Sequence, residues 1–404
     1  MNKKIAIIHP SFAPMGGGER VVDVLAEMYP NADFFTLYSY KGEPPSHVRG
    51  KKVTVSKLDR LIRLVRGRAA YLTALYPWAI EQLDLRGYDL VISSCGPGVM
   101  GVNIDQGARH IAYIHTPQRA WWDQYAEFQA TKRGLVREAY VLSTSYMRIW
   151  EFNAMQRVDC VVSNSNYIAD RVWRYFRRKG TVVYPPVNTS MGFLADHHED
   201  YFLTVSRLEE NKRIDLIIQA CNQMQLPLVI VGVGSEYEKL KPLAGQTIQF
   251  RGRVSDEELT SLYARCRAFL FAADEDFGIA PLEAQSFGRP VIAYGHGGSL
   301  ETVSVDADDG KIESGVFFSH QTVESVMEGI RSFQEREHLF IPAEIQKRAK
   351  TFDTEIFKQR FQAVVEECFQ QKPEWKAASL LQQTDRPIVS PSQTGVTVRA
   401  KGEQ

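Results

Sequence analysis

Short apolar and β-branched runs alternate with stretches of helical periodicity from end to end of this 404-residue chain. The runs fall at 5–9, 32–38, 89–94, 110–116, 159–165 and 181–184, and again at 201–206, 226–233, 248–251, 268–272, 290–294 and 315–318. Strand and helix in regular succession leave few architectures open. The strands must lie parallel, joined by crossover helices. Runs such as Ile5 to Ile8 and Ala268-Phe269-Leu270-Phe271-Ala272 are apolar throughout, as strands buried on both faces require. No internal sequence repeat is visible, although the two series could share a fold.

The two series are separated by Pro185-Pro186-Val187-Asn188-Thr189-Ser190 and a polar segment reaching Asp200. The expected organisation is a first domain at 1–187, a second at 198–350, a C-terminal helix within 351–371 and a polar, disordered tail at 372–404. The last helix, about 354–369, carries Ile356, Phe357, Phe361, Val364, Val365 and Cys368 on one side. Two doubly wound domains would meet across a cleft, and ligands in such sheets bind beyond the carboxyl ends of the strands. Ser255-Asp256-Glu257-Glu258 reads as a capping box opening a helix.

Charge is segregated. Residues 1–190 hold 25 Lys and Arg against 16 Asp and Glu, a net of +9, so the rest is −9 because the chain totals 48 of each. A basic half suggests an anionic partner. The five cysteines, Cys95, Cys160, Cys221, Cys266 and Cys368, are scattered, with no C-x-x-C pair, and fit free thiols in a reducing compartment. The apolar run at 5–8 is too short for a signal peptide, and no stretch approaches a membrane span. A cytoplasmic location is expected, with peripheral contact at the cytoplasmic face of an inner membrane left open.

The loops at the strand ends carry the chemistry. Ala273-Asp274-Glu275-Asp276-Phe277-Gly278-Ile279-Ala280-Pro281-Leu282-Glu283 follows an apolar strand and enters a helix expected at 281–287. A carboxylate at each end of such a loop can grip two separate pairs of hydroxyls, while helix-start N–H groups favour phosphate or sugar oxygens. The plain alternative is an acidic loop and a solvated helical glutamate. Gly16-Gly17-Gly18-Glu19-Arg20 precedes a helix at 21–29 and lets backbone approach a phosphate; a tight turn is the plainer reading. A dinucleotide fingerprint would need its third glycine where Val21 stands. Arg207 and Lys212 lie between a strand end and a helix start, where two cations could clamp a diphosphate, or simply pair with Glu209 and Glu210. Gly232-Val233-Gly234 and Gly295-His296-Gly297-Gly298-Ser299 give further close backbone access. His115, at the end of a strand, could hydrogen-bond a ligand or serve the fold alone.

Taken together, these residues resemble the retaining glycosyltransferases of family 4. The resemblance rests on the Gly-Gly-Gly-Glu-Arg loop, Tyr113-Ile114-His115-Thr116-Pro117, Ser206-Arg207-Leu208 with Lys212, residues 250–259, the Glu275/Glu283 loop and Gly297-Gly298. It runs from Ile5 to about Gln370. Gly-Gly-Gly-Glu-Arg-Val-Val, Tyr184-Pro185-Pro186-Val187 and Glu275-Asp276-Phe277-Gly278 are similar to the bacterial O-antigen mannosyltransferase branch. The implied fold is α/β GT-B: two Rossmann-like, doubly wound domains facing across a cleft, with the C-terminal helix crossing back. The implied activity is transfer of a sugar, mannose from GDP-mannose, to a glycan or lipid-linked acceptor in cell-surface polysaccharide or lipopolysaccharide synthesis.

The resemblance also implies roles. Arg207 and Lys212 would bind the donor diphosphate, aided by backbone around Gly17 and Gly18. Glu275 would hold donor sugar hydroxyls, with backbone contacts from Phe277, Gly278 and Ile279. Glu283 would hold the ribose, Arg253 and Val254 would lie against the base, and His115 would bond a sugar hydroxyl near the reacting carbon. Asp274-Glu275-Asp276 contains the Asp-x-Asp pattern that holds a metal in other glycosyltransferases. With two cations already serving the phosphates, no metal and no cofactor are expected. An epimerase or phosphorylase on the same scaffold, or an inert sugar-nucleotide sensor, would carry much the same residues.

A membrane-facing element is expected at 57–68. There five basic residues accompany Leu58, Leu61, Ile62, Val65 and Ala69 on one helical face; an ordinary docked surface helix has the same pattern. Arg171, Arg174, Arg177, Arg178 and Lys179, interleaved with aromatics, could extend the patch. No recognition motif supports nucleic acid as a partner.

Overall fold

The computed structural model describes residues 3–12, 16–39, 44–65, 69–96, 98–305 and 313–370. The tail expected to be disordered, and Arg66 to Arg68 of the basic segment, lie outside them. Both sheets belong to one compact unit, which ends at Cys368.

The first sheet contains β1 (Ile5–His9), β2 (Asp33–Thr36), β3 (Val53–Val55), β4 (Leu90–Cys95), β5 (Arg109–Ile114), β6 (Cys160–Ser163) and β7 (Thr181–Val182). Their order is β3-β2-β1-β4-β5-β6-β7, and every pairing is parallel. The second contains β8 (Phe202–Val205), β9 (Leu228–Val231), β10 (Ile248–Gly252), β11 (Ala268–Phe271), β12 (Val291–Tyr294) and β13 (Gly315–Phe318), in the parallel order β10-β9-β8-β11-β12-β13. Every expected strand is present, most with an end trimmed by one or two residues, and β4, β5 and β10 each reaching one residue further at one end. The unexpected β3 is a half-exposed three-residue edge strand, too short to register as a run.

The strand order reverses between β1 and β4 and between β8 and β11. Adjacent connections leave on opposite faces there, which opens a crevice above the strand ends. The central strands β4, β9 and β11 are buried along their whole length. Their apolar side chains meet helices on both faces. Ile8, Val91 and Ile114 pack with Leu58, Met147 and Ile168 in one lobe, and Phe202, Ile230 and Leu270 pack with Ile217, Ile330 and Phe333 in the other.

The chain crosses between lobes twice, and the crossings are tied together. Val187 pairs with Asp353, Val187 N–H donates to Phe352 O at 3.2 Å, and the Thr189 hydroxyl donates to the Asp353 carboxylate. Beyond this knot, Thr354–Gln370 is a helix whose Phe357 and Phe361 lie against Tyr113 of β5. Lys358 reaches Glu27 at 2.7 Å. The last helix therefore returns to the first lobe, as the expected crossing-back helix should.

Two helix starts differ from expectation. The first helix begins at Gly17 and the acidic-loop helix at Ile279, each earlier than its apolar pattern suggested. The capping box is half formed. Ser255 Oγ accepts from Glu258 N–H at 3.2 Å, but the Glu258 carboxylate turns to Arg251 at 2.9 Å rather than back to the cap.

Candidate active site

The loop after β11 carries the two glutamates, and each meets a cation from elsewhere in the fold. Glu275 pairs with Lys212, which stands in the short turn Glu210–Lys212 after β8. Glu283 lies on the helix Ile279–Ser286; one of its oxygens pairs with Arg20 and the other accepts from the Tyr263 hydroxyl at 3.0 Å. Arg20 belongs to the first lobe, so this pair spans the crevice. The Glu283 carboxylate beside it raises the Arg20 guanidinium above its usual range, against the opposing effect of burial. Burial, reinforced by Glu283, holds the Tyr263 phenol well above its ordinary value, so it is a donor at all relevant pH.

Close backbone packing sets the loop. Gly298 N–H donates to Glu275 O at 2.8 Å, and a Cβ on Gly298 would run into the Phe277 backbone. Gly232, at φ +140°, lies so near the Ser206 carbonyl that only glycine fits. These glycines thus serve approach between neighbouring strand-end loops, whereas the sequence suggested access for a ligand. Phe277 is buried, stacked on Tyr184 with centroids 5.4 Å apart and leaning on Phe352. Gly278 precedes the helix at φ +89°, so the N–H groups of its first turn open beside Glu275.

The first lobe contributes Gly17, Gly18 and His115. Gly17 faces the acidic-loop helix, where a Cβ would sit 3.5 Å from Ile279 Cδ1. Gly18 lies over two imidazoles: a Cβ there would sit 3.4 Å from His9 Cε1 and 3.6 Å from His115 Nε2. His115 Nε2 is 2.8 Å from Ser94 Oγ, and His9 Nδ1 is 3.2 Å from the same hydroxyl. Burial, helped by His9, pushes the His115 imidazole down to about 3. It is therefore neutral and suited to hydrogen-bonding a hydroxyl rather than to carrying charge.

Arg207, Arg253 and Val254 stand apart from this cluster. The Arg207 side chain is 69% exposed and pairs with Glu209 at 3.1 Å, while Lys212, five residues on, has turned inward to Glu275. Arg253 is exposed after β10, and Val254 is half-buried against the second lobe's core.

The sequence reading missed a cross-lobe clamp. Arg119 reaches Asp274 at 3.3 Å and Asp276 at 2.7 Å. Arg171 reaches Asp276 at 3.0 Å, Thr116 Oγ1 at 2.9 Å, Pro117 O at 3.1 Å and Asp123 at 2.8 Å. Ser165 Oγ donates to Asp276 O at 2.7 Å, and Glu301 accepts from Asn166 and Tyr167 N–H at 2.8 and 2.9 Å. Burial raises the Asp276 carboxyl above its ordinary value, and the two guanidinium groups reverse this only in part. The loop bearing Glu275 is thus held by the opposite lobe. Arg20 was quoted as part of a motif, but its partner lies 263 residues away. Arg119 carries no local signature, and the sequence around Arg171 reads only as part of a basic surface patch. The Asp-x-Asp carboxylates are engaged by Arg119, Arg171 and His296, the last at 2.9 Å from Asp274. Among the described residues no group of three or more His, Cys, Asp or Glu is arranged to hold a metal ion.

The helix Leu58–Leu64, from the segment expected to face a membrane, buries Leu58 and Ile62 in its own lobe and leaves Leu61 and Leu64 exposed. Of the second basic group, Arg171 is consumed by the clamp, and Arg178 caps the carbonyls of Met155, Gln156 and Val158. No described helix is long and apolar enough to cross a membrane.

Comparison with known proteins bears on the family and the fold. The family model described as Glycosyltransferase Family 4 matches residues 15–191, and that described as Glycosyl transferases group 1 matches residues 191–352. The alpha-1,3/1,6-mannosyltransferase ALG2 of Saccharomyces cerevisiae is 27% identical over 375 residues, covering 74% of this chain and 71% of that protein. The O-antigen chain mannosyltransferase C of Escherichia coli is 29% identical over 171 residues, covering 38% of this chain and 46% of that one. Among solved structures, Anabaena HepE in complex with UDP superposes with a TM-score of 0.66 at 16% identity, covering 90% of this chain and all (100%) of that one. Sucrose-phosphate synthase from Thermosynechococcus elongatus superposes with a TM-score of 0.68 at 17% identity, over 91% of this chain and 99% of that one.

Proposed function

Since the chain belongs to glycosyltransferase family 4 and has the GT-B fold, we propose that it is a retaining mannosyltransferase. It would move mannose from GDP-mannose to a glycan or lipid-linked acceptor in cell-surface polysaccharide synthesis. The observation that carries this reading is the convergence of Lys212, Glu275 and Glu283 on the strand-end loops that face Gly17, Gly18 and Arg20 across the crevice. The choice of mannose rests on the mannosyltransferase relatives.

The chemistry follows from charge. Breaking a glycosyl–phosphate bond builds positive charge on the sugar and negative charge on the departing diphosphate. Lys212 and Arg207 would stabilise the latter, an electrostatic effect of several kcal/mol at about 10²–10³ in rate per donor removed. Lys212 is held by Glu275 until the donor arrives, so the diphosphate would take over the ammonium while Glu275 turns to the sugar hydroxyls. Glu283 would bind the ribose, with Tyr263 and Arg20 keeping it oriented. Neutral His115 would bond a hydroxyl beside the reacting carbon. Retention would follow from attack on the face the diphosphate leaves, with the leaving phosphate accepting the acceptor's proton. Engagement of Asp274 and Asp276 by arginines supports transfer without a metal.

A melting panel with GDP-mannose, GDP, UDP-glucose and UDP-GlcNAc tests the donor, because a bound ligand raises stability as RT ln(1+[L]/Kd). GDP and GDP-mannose should raise Tm most, and mannosyl transfer should survive EDTA and keep the donor's anomeric configuration. Stabilisation by uridine nucleotides alone would overturn the mannosyl assignment. Magnesium-dependent rescue after EDTA would return Asp274 and Asp276 to a metal role.

A further inference from the structure

The longest helix among the described residues, Gly134–Gln156, buries only one side. Thr144, Met147, Glu151, Ala154 and Met155 face the first lobe. On the other side Leu135, Leu142 and Ile149 are 88%, 72% and 66% exposed. They recur every seven residues, so they stack as one stripe, with Tyr146 falling on the same line. Leu135 to Ile149 spans about 21 Å at 1.5 Å per residue. Residues 134–139 are exposed on every side, so the helix start projects past the lobe with Leu135 and Val136 bare. Soluble surfaces scatter single apolar residues, but a continuous stripe of this length requires a partner.

Charge decides what kind. Lys132, Arg133 and Arg137 collar the projecting start, with Glu138 the one acid among them. At the other end, Gln156 Nε2 donates to Phe176 O, which brings exposed Trp173, Arg177 and Lys179 alongside. Both ends of the stripe are therefore basic. Two copies of the helix, paired parallel or antiparallel, would set like charges against each other. An anionic bilayer meets cations at both ends, apolar side chains between them, and Tyr and Trp at headgroup depth.

We infer that this protein docks on an anionic lipid bilayer through the exposed stripe Leu135, Val136, Leu142, Tyr146 and Ile149 and its basic ends. The helix Leu58–Leu64 spends Leu58 and Ile62 on the core, leaves Leu61 and Leu64 as a smaller exposed apolar face, and is not the docking element. The inner side of the long helix explains why this would matter. Tyr140 donates to Ala120 O and Arg148 to Trp121 O, in the turn that also places Arg119 on Asp274 and Asp276. The bilayer would thus lie against the element that leads from the lobe's surface to the crevice, as delivery of a lipid-linked acceptor requires. In that purpose, though not in the docking itself, the inference rests on the transferase reading.

Flotation with vesicles of equal parts phosphatidylcholine and phosphatidylglycerol tests it, with pure phosphatidylcholine alongside. Wild type should float with the anionic vesicles. Leu135→Ser/Val136→Ser/Leu142→Ser should stay at the bottom. Lys132→Glu/Arg133→Glu/Arg137→Glu should lose at least about fivefold in partitioning per reversed charge. Arg60→Glu/Leu64→Ser, on the helix already docked, should float like wild type. Apart from half-buried Lys132 these side chains are exposed, so melting temperature should hold, and nucleotide-induced stabilisation measured in parallel separates failure of docking from failure of the donor site. Equal flotation of wild type and the serine variant, or none by either, overturns the inference. So does loss of flotation in the Arg60/Leu64 variant alone, or a wild-type dimer by light scattering that the serine variant dissolves.

Discussion

Arg171→Met is the sharpest test of the cross-lobe clamp. The Arg171 side chain is 7% exposed and donates to two carboxylates, Asp276 at 3.0 Å and Asp123 at 2.8 Å, as well as to Thr116 and Pro117. Methionine keeps the apolar stem and removes only the charged fork. Each charge-assisted hydrogen bond is worth about 1.5–3 kcal/mol, and breaking a buried pair from one side costs about 3–5 kcal/mol. Arg171 Nε already lacks a partner, and Asp276 keeps Arg119, so the lower end applies: about 3 kcal/mol. Urea unfolding at constant m measures it. Arg171→Met/Asp276→Asn should recover about 1–2 kcal/mol of the loss, because the stranded charge has gone too. The deficit also has a pH signature. Asp276 already holds its proton more tightly folded than unfolded, and losing Arg171 would tighten it further. Stability in the variant should therefore fall as pH rises from the ordinary carboxylate value through the raised one, and the deficit should shrink in acid. Donor turnover should drop as well, since the Glu275 loop loses its anchor. A cost below about 1 kcal/mol with additive double-mutant behaviour would refute the clamp.

Arg207→Ala should weaken GDP binding by about 2 kcal/mol by calorimetry if the exposed guanidinium swings from Glu209 to the diphosphate, and unchanged affinity would remove it from the site. Glu151, fully buried with one oxygen on Trp122 Nε1 at 2.7 Å and the other unpaired, has its carboxyl pushed up to about 7 by burial. The native state then holds more protons than the unfolded state, so wild-type stability should fall by about 3 kcal/mol as pH rises from the ordinary glutamate value to about 7. Glu151→Gln should flatten that slope and be the more stable protein at pH above 7; a Gln variant less stable there would contradict the assignment. Gly298→Ala places a methyl against the Phe277 backbone, so it should cost about 1–3 kcal/mol and cut transfer more than it cuts nucleotide affinity. Wild-type kinetics in that variant would show the loop tolerates displacement.

Local pattern was enough for much of this fold. Twelve strands, the glycine and acidic loops and the last helix all follow from apolar period and from breaker residues, because each depends on neighbours within a few positions. The edge strand β3 escaped because three half-exposed residues carry too little period. What the sequence could not contain was partnership at a distance. Arg20 with Glu283, Arg119 and Arg171 with Asp276, and Lys212 with Glu275 join residues 63 to 263 positions apart, and nothing in their own neighbourhoods distinguishes a clamp from solvated charge. The two amphipathic helices make the same point. Residues 58–64 read as a membrane face because a core and a bilayer demand the same apolar side, and only tertiary packing showed Leu58 and Ile62 already spent. The Gly134–Gln156 helix drew no notice in sequence, since its apolar residues ring it on both sides. Packing decided which of them the lobe would cover and which it would leave bare.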